Sequence, residues 1–416
     1  MTVFFLTVFL LFCRTGYAVL FYSTGDASYN TTAPTGVLTN SGWQFQGRFN
    51  QYLGTPVGPH QFITAQHLGG SVGNKFYYDG EVFTTTGKTD DPGSDLRLWE
   101  VSERFPRYAP LYSDTDEEGK GLVVFGRGVD RGAAVTNTVT SGYGPFQTTE
   151  VITNGWKWGA YNYTQRWGTN TVSATTTING SPVLKAEWTP DSGASEGMLA
   201  DKDSGGAVFI KDGETWKLAG INYVIGPATE YSLNSDGSDA FRGSILDFRG
   251  GVYTKSGTNW VSIPSSTRSA FYATRISSRY SWITNNIPDF DQDTDGLPNW
   301  WEEEYSTTAT GLTASADSDG DGIVNEDEYT ADTDPTNAVS YFEMTGFTAS
   351  THQTVYFNGS TGRQYQVFYT TNDLSDAGLT WLPAHTNLIR GTGTDSSITV
   401  TNAGSKAFYQ LRVSLP

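Results

Sequence analysis

The chain has 416 residues, of which 37% are hydrophobic and 14% aromatic, enough apolar material for two or three domains rather than one small core. Its 47 glycines, among many Thr and Ser, favour turn-rich β-structure over helices. The net charge of −18 and the lack of any basic patch exclude a nucleic-acid partner, and beyond the N-terminus no apolar run is long enough to span a bilayer.

Residues 1–18 read as a secretory signal peptide. Val3 to Phe12 form an apolar core, and Gly16-Tyr17-Ala18 places small residues where a signal peptidase cuts. The expected location is therefore extracellular. Cys13, the only cysteine, falls inside this leader. The mature chain then has neither disulfides nor a thiol nucleophile nor a Cys-based zinc site, and must draw stability from core size or bound metal.

Residues 19–287 form one β-rich stretch, in which short alternating runs such as Trp216-Lys217-Leu218-Ala219-Gly220-Ile221-Asn222-Tyr223 recur between turn signals. Three- and four-residue steps of Phe271, Arg275, Ile276, Arg279, Trp282 and Ile283 predict a helix over Ser266 to Ile287, stopped by Pro288. Residues 288–337 carry the charge imbalance: from Asp289 to Asp334 there are 15 Asp or Glu and no Lys or Arg. Residues 338–416 return to alternation and are the size of a small β-sandwich. This piece resembles modules that end many secreted bacterial proteins.

Acyl transfer by a serine needs a base for the hydroxyl proton, a carboxylate to orient that base, and N–H groups for the oxyanion. Of the four histidines, only His60 and His67 precede a plausible nucleophile within the large β stretch. His67 ends the run Phe62-Ile63-Thr64-Ala65-Gln66-His67, Asp95 heads the run Asp95-Leu96-Arg97-Leu98-Trp99-Glu100-Val101, and Asp203-Ser204-Gly205-Gly206-Ala207 is a glycine-rich serine loop. In order and context these segments resemble the chymotrypsin/trypsin-like serine peptidases. That resemblance implies a double β-barrel with a C-terminal helix, and a secreted serine endopeptidase acting on protein or peptide. His67 is then general base, Asp95 its orienter and Ser204 the nucleophile, with the backbone N–H groups of Lys202 and Ser204 as oxyanion hole.

Three positions depart from the family pattern. Lys202 stands where the family has glycine, which puts the oxyanion peptide in question. The segment Val19-Leu20-Phe21-Tyr22 lacks the glycines of the family's activated N-terminus. Asp203 is accordingly expected to have an internal partner, with no propeptide cleavage. Met198, six residues before the serine, is expected at the base of the specificity pocket, which argues against cleavage after Lys or Arg. A catalytically silent protease fold, serving as a calcium-dependent adhesion or scaffold module, is the competing reading.

Calcium takes six to eight oxygen ligands, and alternating carboxylates closed by a later bidentate Glu supply them. Asp291, Asp293 and Asp295, then Gly296, Asn299 and Glu302, make one such loop; Asp317, Asp319 and Asp321, then Gly322, Asn325 and Glu328, make a second 26 residues later. Two loops with matching offsets predict about two structural Ca2+ ions. The pair resembles dockerin-like or thrombospondin type 3 repeats, and the dockerin likeness implies a cohesin-type partner.

Overall fold

The computed structural model describes residues 18–415 apart from 27, 162, 190–192, 250, 265–266, 351, 377, 386 and 402–406. The leader expected over 1–18 lies outside the described residues except for Ala18. The chain is mostly β and divides into two compact units, one up to residue 288 and one from 289 onward.

In the first unit, six antiparallel strands close a barrel in the order Gly47–Phe49, Tyr52–Pro56, Gln61–Ala65, Leu96–Val101, Glu81–Asp90 and Lys75–Tyr78. Its core is aromatic: Phe49, Phe62, Phe76, Phe83, Trp99 and Phe105 pack together, with Phe62 stacked on Phe76 at 4.0 Å between centroids. In so small a barrel side chains fill the interior, and here they are mostly rings.

The second half of this unit is a seven-stranded sheet, not the second closed barrel that the resemblance implies. Its order is Arg166–Thr171, Gly121–Gly126, Ala207–Asp212, Thr215–Gly226, Ala270–Arg275, Ser181–Glu187 and Ala174–Ile178. Near the open edge a side chain replaces the missing ladder: Asn170 Nδ2 donates to Glu187 O and Gly197 O, both at 3.1 Å.

The helix expected over 266–287 forms only in its second half, and a strand takes the first. Ala270–Arg275 lies between two neighbours in the sheet, Ser277–Arg279 is a 3-10 turn, and only Tyr280–Asn285 is α-helical. Phe271 and Ala273 alternate into the core, so a period of two satisfied by pairing on both sides prevailed over the helical spacing.

Two excursions from the seven-stranded sheet build a further sheet of six strands. The hairpin Val129–Ser141 with Thr148–Tyr161 supplies two of them; Glu230–Ser232, Phe241–Ile245, Tyr253–Ser256 and Asn259–Ser262 supply the rest. Val135, Tyr231, Phe241, Ile245, Phe248, Val252 and Ile263 form their common core.

In the second unit, each acidic loop leads into a short helix, Asn299–Tyr305 and Asn325–Ala331, and Leu297, Trp301, Ala314 and Tyr329 share a buried cluster. Two small sheets follow, around Val355, Phe357, Tyr365, Val367, Ile398 and Val400. Arg363 donates to the terminal carbonyls of the second helix, at 2.6 Å to Tyr329 O and 2.9 Å to Thr330 O. The acidic segment is therefore packed into the same unit as the C-terminal sheets.

Candidate active site

His67 follows the barrel strand Gln61–Ala65 on a 3-10 turn, and Asp95 directly precedes Leu96–Val101, its neighbour in the barrel. Pairing of these two strands therefore brings residues 28 apart in sequence into contact. His67 Nδ1 lies 2.5 Å from Asp95 Oδ2, while the His67 backbone N–H donates to Asp95 Oδ1 at 2.9 Å. Gln66 N donates to Asp95 O at 2.8 Å, closing a third bond across the same corner. The Asp95 side chain is 10% exposed and that of His67 40%, so the imidazole keeps one open face. Tyr223 covers the other side at 5.9 Å between ring centroids.

Ser204 sits on the loop before Ala207–Asp212, in the other half of the unit. Gly205 has φ +82, and a Cβ there would lie 2.8 Å from Leu53 O; a Cβ on Gly206 would lie 2.1 Å from Phe125 O. Gly205 lets this loop press against the barrel next to the His67 segment, and Gly206 lets it press against the strand Gly121–Gly126 of the seven-stranded sheet. Asn222 anchors the loop from behind, its Nδ2 donating to Phe125 O at 2.7 Å and Asp203 O at 3.0 Å. Among the described residues no hydrogen bond joins Ser204 Oγ to His67. Such contacts are often long in unliganded sites and tighten with substrate.

From Lys202 to Gly206 the backbone N–H groups of the loop fall into two sets. Those of Asp203, Gly205 and Gly206 donate to Ala200 O, Asn222 O and Asp203 O. Those of Lys202 and Ser204 have no acceptor among the described residues. Lys202 takes the left-handed conformation with φ 72, the conformation for which glycine is usual. A lysine there costs about 1–2 kcal/mol of backbone strain.

The Asp203 carboxylate is buried, at 1% exposure, and accepts only backbone donors: Gly128 N at 2.7 Å, Ala200 N at 2.8 Å and Val19 N at 3.4 Å. The expected internal partner is thus a set of amides that includes that of Val19, the residue after the expected leader. Burial raises this carboxyl to about 7, and the amide bonds only partly offset that.

A cavity of about 150 Å³ opens at Ser204, with walls from residues 199–204 and 222–225, and from Trp158, Thr229 and Arg242. Met198 is not part of it. That side chain is wholly buried in the main core, where its strand pairs with Leu20. Trp158, Thr229 and Arg242 come instead from the two excursions, and Arg242 pairs with Asp201 at 3.0 Å. Sequence reasoning missed these walls because nothing local marks which loop will reach the site.

It also missed a support for Asp95. Asp91, whose side chain is 0% exposed, receives both Arg279 Nε at 2.6 Å and Arg279 Nη2, and also binds Gly93 N and Ser94 Oγ. The loop carrying Asp95 is thereby tied to the C-terminal 3-10 turn.

In the second unit, carboxylate oxygens of Asp291, Asp293 and Asp295 come within 4.8 Å of one another, and so do those of Asp317, Asp319 and Asp321. Glu302 and Glu328 are both 0% exposed, and each has an Oε2 with no hydrogen-bond partner. Burial, then the nearby aspartates, raises both glutamates to about 7. Asn325 is equally buried with an unpartnered Oδ1, whereas Asn299 Oδ1 accepts from Gln292 N at 2.7 Å. Buried, unpaired oxygens facing clustered carboxylates are a donor set for a hard divalent cation.

No protein-family model matches the chain, and no curated protein matches it. Among solved structures the chain is similar to neuropsin, a serine protease expressed in the limbic system of mouse brain. The TM-score is 0.34 and the identity 12%, over 59% of this chain and 95% of that one. A likeness that low adds no weight to the geometry. No helix among the described residues is long and apolar enough to cross a membrane.

Proposed function

We propose that this chain is a serine endopeptidase that works through an acyl-enzyme. The observation that carries the reading is the pairing of His67 with Asp95 at 2.5 Å beside a serine loop in which the N–H groups of Lys202 and Ser204 have no acceptor among the described residues. With Nδ1–H held by Asp95, Nε2 is the nitrogen left to take the Ser204 proton as Oγ attacks the scissile carbonyl. The resulting oxyanion is held by the N–H groups of Lys202 and Ser204. His67 returns the proton to the leaving amine as the C–N bond breaks, and water, activated in the same way, releases the acyl group. The strain held at Lys202 serves to point its amide into the hole.

Export with cleavage after Ala18 belongs to the same reading. It makes Val19 an N-terminal ammonium next to the Asp203 carboxylate, so removal of the leader itself supplies the cation that the buried group lacks. No separate propeptide is then needed.

The two acidic loops fit calcium. Asp291, Asp293, Asp295, Asn299 and Glu302 would hold one ion, and Asp317, Asp319, Asp321, Asn325 and Glu328 another. Bound calcium neutralises carboxylates that otherwise repel and lie buried without partners. A cohesin-type partner has no further support in the fold.

The decisive test uses a fluorophosphonate probe on the calcium-loaded protein beginning at Val19. Wild type is expected to label and Ser204→Ala not to. Absence of labelling in both would support the catalytically silent reading and sink this one.

A further inference from the structure

Around the serine loop, among the described residues, three cations form no ion pair: Lys202, which also lines the cavity, Arg127 and Arg48. Lys202 Nζ is 3.4 Å from Tyr52 Oη and 5.8 Å from the ring centroids of both Tyr52 and Tyr161. Arg127 Nη1 donates to Gln51 O at 3.4 Å, and its guanidinium lies 5.6 Å from the Tyr163 ring, which stacks on Tyr161 at 6.2 Å. Gln51 Nε2 in turn donates to Tyr52 Oη at 3.0 Å, joining the two groups. Arg48 completes the row over the Tyr77 ring at 3.7 Å. Burial, and then the like charge of Arg48, push Arg127 below its ordinary range.

Arg97, Arg107, Arg249, Arg275 and Arg279 each engage a carboxylate. Among the described residues Arg48, Arg127 and Lys202 form no ion pair, although the charge of Asp201 reaches Lys202. The acid next in sequence to Lys202, Asp201, is occupied by Arg242 at 3.0 Å and the Tyr161 hydroxyl at 2.8 Å. The like charges of Arg127 and Arg48, held close on a surface of hydroxyls and ring faces, repel until an anion visits.

We propose that this flank selects peptide substrates with acidic side chains just after the scissile bond. The inference rests on the endopeptidase reading, in which the residue before that bond enters the cavity and those after it cross the Lys202–Tyr52 flank. An Asp or Glu there meets Lys202 and Arg127 in place of water, with the tyrosine rings limiting solvent around the pair. Selection acts on the leaving half of the substrate, with Lys202 at the border between this flank and the cavity.

The test uses internally quenched peptides identical except for Glu, Gln or Lys at the first two positions after the cleaved bond. On the protein beginning at Val19, kcat/KM is expected to fall about tenfold from Glu to Gln, and further to Lys, with the Glu advantage shrinking as salt rises. Arg127→Glu with Arg48→Gln should erase or invert the order while fluorophosphonate labelling persists. A labelled, peptide-cleaving protein with equal rates for all three peptides overturns the inference and leaves the endopeptidase reading standing. No labelling and no cleavage of any peptide overturns both.

Discussion

The backbone N–H of Val19 points at the carboxylate of Asp203 across 3.4 Å, joining residues 184 apart in the chain. Val19 is fully buried and has φ 46, a conformation that a β-branched residue adopts only under constraint. Cleavage after Ala18 removes the peptide that defines this φ and leaves an ammonium in its place. A protein beginning at Val19 is therefore expected to react with a fluorophosphonate at least about tenfold faster than one with Ala18 and a further residue retained. Equal rates for the two would show that the Asp203 amide cage suffices alone.

Arg279 is a positioning residue for Asp95, acting through Asp91. Arg279→Ala leaves a buried carboxylate without its cation and is expected to cost about 3 kcal/mol in urea unfolding of the Ser204→Ala protein. In active protein the same change should lower kcat more than it raises KM, with partial rescue by Arg279→Lys. A loss of stability with unchanged kcat would assign the pair to folding alone.

Asp130, 4% exposed, is raised to about 7 by burial, with Arg166 opposing. Its folded pKa lies above the ordinary 3.8, so the folded state holds the proton more tightly. The stability it contributes is full below about pH 4 and is lost as pH rises through about 7. Asp130→Asn should flatten that part of the profile. The gap in urea midpoint between variant and wild type is expected to move in the variant's favour from pH 5 to pH 8, and a constant gap would refute the assignment.

Calcium should stabilise the second unit. Titration calorimetry on the Ser204→Ala protein is expected to find about two sites, lost together in Asp291→Ala with Asp317→Ala. Glu302→Gln and Glu328→Gln should each weaken one site by at least about tenfold, as each removes a bidentate oxygen donor. No heat at millimolar calcium would reject both loops.

The order of His67, Asp95 and Ser204, the glycines after the serine and the paired acidic repeats were all legible in the chain, because each depends on local geometry. A corner, a tight loop, and oxygen ligands at alternate positions leave their spacing in the sequence. The strand Ala270–Arg275 was not legible: its spacing also suits a helix, and only neighbours on both sides decided between the two. The same holds for the open seven-stranded sheet, for Met198 in the core instead of the cavity, and for the partners of Asp203 and Asp91. The three unpaired cations beside Ser204 belong here too, since Arg48, Arg127 and Lys202 lie far apart in the chain. Sequence by itself determined which residues can do chemistry. Long-range pairing of strands, whose hydrogen bonds carry no trace in local spacing, decided which of them meet.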